Sequence, residues 1–79
     1  MTNSIYSYKH FKRKVINKYL GIMGLNLDEE IQKNFDKNED VFLIEFNSLQ
    51  EDLKSKDTIA KDVFTKRVLD TISNLYMLM

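Results

Sequence analysis

At 79 residues the chain is about half the length of an ordinary domain, so residues 1–79 are expected to form one small domain, and two are excluded. Hydrophobic residues at 43% and charged residues at 30% suit a globular chain and leave too much apolar character for intrinsic disorder. Twelve basic and twelve acidic residues cancel, so no global field draws the chain to nucleic acid or to a membrane, and any attraction must be local. Cysteine is absent, which removes disulfides and thiolate metal cages. No cofactor is expected. With no apolar run of membrane-spanning length and no signal-peptide pattern at Met1 to Ile5, the reading is a cytoplasmic protein without a membrane role.

Proline is missing and glycine occurs only at positions 21 and 24, which argues against a hairpin-rich β fold and for helices. From Ile5 to Met23, Tyr8, Phe11, Val15, Ile16, Tyr19 and Ile22 recur at three- and four-residue steps and predict a helix over 5–23. Gly24 is its left-handed terminator, with Leu25 folding back on Leu20, and Gly21 is a weak point inside the helix. Asn26 followed by Glu29 reads as a capping box opening a short helix over 27–38, docked by Leu27, Ile31 and Phe35 in a tight hairpin with the first.

The segment Val41 to Phe46 has strand-like residues, but Phe42, Phe46, Leu49 and Leu53 keep helical spacing and no second β-like run is present to pair with it. A third helix over 41–54 follows. Val41, Leu43 and Ile44 lie off its main stripe, so its start is expected to be covered on several sides, at the centre of the core. A fourth helix over 58–78 carries Phe64, Val68, Thr71, Ile72, Leu75 and Met79 on one face, with Lys66, Arg67, Asp70 and Asn74 mostly opposite. The fold class is therefore all-α: a four-helix, bundle-like domain with short connections.

Charge is unevenly distributed along the chain. Residues 1–27 carry five positive charges, residues 28–57 net minus six and the remainder plus one. Lys9, Lys12, Arg13, Lys14 and Lys18 form a candidate partner-binding group that could track a phosphate backbone, the alternative being a solvated helix face packed near the acidic middle of the same molecule. Lys12 falls inside the apolar face, so it must snorkel or meet a carboxylate. A DNA-reading helix-turn-helix around Gly24 fails. Bulky Leu20 stands where a small residue is needed, Glu30 and Lys33 where apolar ones are, and the reading helix would open with Asp28, Glu29 and Glu30.

Asp36, Asn38 and Asp40 copy the start of a calcium loop, but Val41 replaces its turn glycine and Asn47 its bidentate glutamate, so no metal site is expected. For catalysis, His10 is the lone histidine, Glu51 and Asp52 diverge around a helix, and no glycine-rich phosphate loop is present. The reading is not an enzyme. Tyr6, Tyr8, Phe11 and Tyr19 are spaced as packing residues rather than as a base-stacking platform.

Two surfaces remain for a partner: the basic group, and an apolar one formed by Ile59, Val63, Tyr76, Met77, Leu78 and Met79. They predict a non-catalytic protein-protein interaction module, a small regulator or inhibitor that binds a protein partner or itself. So small a core favours a homodimer that includes the fourth helix and sets the basic first helix against the acidic middle of a second chain. The alternative is a sequence-nonspecific nucleic-acid binder using the basic face. Ten lysines against two arginines, with seven asparagines, suit an AT-rich bacterial genome or one of its phages.

Overall fold

The computed structural model describes residues 7–54 and 60–78. They form four helices, α1 (Tyr8–Met23), α2 (Glu29–Lys37), α3 (Glu39–Leu53) and α4 (Ala60–Leu78), with no strand among them. The strand-like run at Val41 to Phe46 is helical, as its spacing and the missing partner strand require.

Local chemistry sets the ends. Ser7 caps α1 by accepting from the His10 N–H at 3.2 Å, so the helix opens at Tyr8, later than the apolar stripe alone indicates. At the other end Gly24 adopts φ 67°, and the Leu25 N–H donates to the Leu20 carbonyl at 2.9 Å, closing a Schellman turn. The cap of α2 is Asp28 rather than Asn26. Its Oδ1 accepts from the Ile31 N–H at 2.9 Å, which sets an anionic acceptor at the positive end of the helix dipole. Residues 24–28 therefore lie between α1 and α2, a longer connection than a tight hairpin, and the two helices touch through the Tyr19 and Phe35 rings, 5.5 Å apart and edge to face. A single residue, Asn38, separates α2 from α3.

The helices α1, α3 and α4 lie alongside one another. Glu45 bonds Asn74 while Asp52 bonds Arg67, so α3 and α4 are antiparallel. Tyr8 meets Phe46 while Lys12 meets Glu39, so α1 is antiparallel to α3 and parallel to α4. The short α2 packs on α3 and on the end of α1. Into the shared core α1 contributes Phe11, Val15 and Tyr19, α2 Phe35, and α3 Phe42 and Leu49. Val68, Thr71, Ile72 and Leu75 come from α4, and the buried Thr71 hydroxyl donates to the Arg67 carbonyl at 2.7 Å, leaving no orphaned donor. Phe42 is the buried aromatic of α3. Leu43 and Ile44 are exposed, against the expectation that the start of α3 is covered all round: α1, α2 and α4 occupy only its inner side.

Candidate functional site

Lys12 and Glu39 meet within the chain. The Lys12 Nζ bonds Glu39 Oε1 and lies 5.2 Å from the centre of the Phe42 ring, while the Tyr8 hydroxyl donates to Glu39 Oε2. Burial acts to raise the Glu39 pKa, but the Lys12 ammonium and the Tyr8 hydroxyl outweigh it and hold the carboxyl below its ordinary value. Burial, and then the adjoining carboxylate, push the Tyr8 phenol well up. Lys12 thus has a structural partner, whereas Lys9, Arg13, Lys14 and Lys18 are exposed with no ion pair among the described residues.

The helix divides these four. Lys9 and Arg13 border a hollow shared with Ile16 and Leu27, on the side of the α1–α2 turn. Lys14 and Lys18 face α4 instead, together with His10 one turn before them on the same face, and there the structure adds a group that the sequence did not bring together with them: Lys61 from the first turn of α4. These four basic side chains rim an open groove of about 360 Å³ whose floor includes Phe64, Val68 and Leu69. The His10 and Phe64 ring centres are 5.7 Å apart. Nothing in one-dimensional spacing identifies Lys61, because the neighbour of α1 is settled only by the packing.

Between α3 and α4 runs an ionic lattice. Arg67 donates to Glu45 at 3.0 Å and to Asp52 at 2.6 Å, and Asn74 donates to Glu45 at 2.6 Å. The Arg67 side chain is 18% exposed and that of Glu45 12%, so Arg67 is not on a solvent face as its position opposite the apolar stripe suggested. The antiparallel α3 lays two carboxylates along it, and these raise the guanidinium pKa, with Asp52 acting first. The Arg67 Nε is buried and unpaired, so the lattice is not fully satisfied.

Beside this lattice the outer edges of α3 and α4 form a second groove, of about 310 Å³, lined by Val41, Ile44, Glu45, Asn74 and Met77. Ile44 is 62% exposed, Met77 84% and the adjacent Tyr76 63%. The terminal apolar group of α4 is thus continued by α3 residues that the sequence had assigned to the core. An outward apolar residue and a centrally buried one look alike in sequence. Val63 is half-buried against the core within the chain. Ile59, Met79 and the side chain of Leu78 lie outside the described residues.

The remaining polar motifs have local partners. Asp36 accepts from Gln32 at 3.1 Å and Asn38 donates to the Asn34 carbonyl at 2.9 Å, tying two of the calcium-loop look-alikes to their own helix. Phe11 and Tyr19 are buried and Tyr8 half-buried, which assigns these aromatics to packing. Among the described residues no helix is long and apolar enough to cross a membrane. No family model, curated protein or solved structure matches the chain.

Proposed function

We propose that the protein is a non-catalytic interaction module, a small regulator or inhibitor that acts by binding another protein through the outer α3–α4 face. The observation that carries this reading is the groove beside the half-buried Val41, where Ile44 and Met77, side chains that a small monomer has every reason to bury, are left largely in water. Apolar anchors beside polar Glu45 and Asn74 have the composition of a protein interface, with methionine and tyrosine supplying adaptable contact. Affinity capture with the wild-type chain and with an Ile44→Asp, Met77→Asp variant tests it. A partner held by the wild type and lost by the folded variant supports the reading, and equal retention by both rejects it.

A second reading, sequence-nonspecific binding of nucleic acid, is favoured by one observation: Lys9, Arg13, Lys14 and Lys18 are exposed on one helix without ion pairs among the described residues. It requires binding to DNA or RNA that weakens steeply with salt and collapses on Arg13→Glu, Lys14→Glu.

A further inference from the structure

We infer that the basic-rimmed groove between α1 and α4 receives the acidic α1–α2 turn of a second copy of this chain. Each half of the contact is present on the molecule. The receiving half has the apolar floor of Val68 and Leu69 beneath His10, Lys14, Lys18 and Lys61, a rim without a carboxylate. The inserting half is the Gly24 turn, where Ile22, Met23, Leu25 and Leu27 are all exposed large apolar side chains. Directly after them come Asp28, Glu29 and Glu30, also exposed and in no ion pair among the described residues. One surface is thus apolar with a cationic border, the other apolar with an anionic border on its α2 side, while Lys9 and Arg13 flank Leu27 on its α1 side.

Covering either alone with water leaves apolar area exposed, and seating one on the other removes both from water while bringing opposite charges together. With zero net charge, two copies meet without overall repulsion, so the local fields set the approach. The proposal does not rest on the α3–α4 face, which stays free in this arrangement. A groove of about 360 Å³ lies at the lower end of the roughly 300–1,000 Å³ that binding pockets span, enough for apolar anchors of a turn and too open to enclose a free ligand.

The contact joins two different patches, so it predicts a charge-swap signature. Sedimentation equilibrium from micromolar to millimolar concentration is expected to show self-association of the wild-type chain. Lys14→Glu, Lys18→Glu in the groove, or Glu29→Lys, Glu30→Lys in the turn, is expected to raise the dissociation constant roughly tenfold or more. Mixing the two variants restores association, because each groove then meets a turn of opposite sign. Leu69→Asp and Leu25→Asp test the apolar half without touching the first turn of α2, and circular dichroism verifies that each variant remains helical. A wild type that stays monomeric throughout overturns the proposal. So does association that survives Lys14→Glu, Lys18→Glu in a folded variant, and so does association abolished only by Ile44→Asp, Met77→Asp, which would move the self-contact to the α3–α4 face.

Discussion

Phe42 is fully buried, with the Phe35 ring 6.1 Å away and the Lys12 ammonium over its face, whereas Phe46 is half-buried at the edge where Tyr8 and Phe11 meet it. Phe42→Ala should therefore cost about 3–5 kcal/mol, comparable to the whole stability of a domain this small, and leave the chain largely unfolded. Phe46→Ala should cost measurably less, and urea titration of the two variants orders them. Helical spacing placed both rings on one stripe, but it carries no measure of depth, which here comes from α2 crossing one end of the bundle. Glu39 sets a pH dependence at the same scale. Its folded-state pKa lies below the ordinary 4.5, so the unfolded chain binds the proton more readily. The stability it contributes is complete above that value and is lost as pH falls through the folded-state value. Glu39→Gln is expected to flatten this part of the acid limb in melts recorded across acidic pH. The sequence left Lys12 either to snorkel or to meet a carboxylate; that it meets one, and that it is Glu39, follows from the antiparallel setting of α3.

At the scale of the helices, the two glycines should respond with opposite sign. Gly21 lies inside α1, and a Cβ there meets nothing within 4 Å, so Gly21→Ala gains helix propensity of about 0.8–1 kcal/mol. Gly24 has equal room but a φ of 67°, so Gly24→Ala costs roughly 1–2 kcal/mol through backbone strain. Thermal melts of both variants check the pair, and equal shifts would show that α1 ends elsewhere. This terminus was legible because a left-handed turn restricts residue type sharply. The start of α2 was less so, since Asn26 and Asp28 are comparable caps and only the docking of Ile31 and Phe35 decides between them. The α3–α4 lattice had no sequence signature at all: Arg67, Glu45 and Asp52 are ordinary charged residues until two antiparallel helices align them. Arg67→Ala leaves Glu45 at 12% exposure without its cation and should destabilise by about 3 kcal/mol or more, read by chemical denaturation.

For the molecule as a whole, the all-α class and the four helices were legible because periodicity, the missing prolines and the lack of a second strand agree. The surfaces were legible only in part, because exposure is a property of the assembled bundle. Ile44→Asp, Met77→Asp should change folding stability by no more than about 0.5 kcal/mol while removing partner binding, the reverse of the Phe42 result. The order of the helices carries a kinetic consequence. α3 and α4 are neighbours in the chain and antiparallel in space, so they close a short loop, whereas α1 reaches its parallel neighbour α4 across the sequence between them. Closing the larger loop costs more chain entropy, which favours an α3–α4 hairpin as the folding nucleus with α1 docking afterwards. Leu49→Ala should then act mainly by slowing folding and Val15→Ala mainly by speeding unfolding, a division that stopped-flow chevrons resolve. The first helix, which contributes one wall of the proposed groove and leads into the turn that would fill it, would be the last part of the molecule to lock and the first to come free.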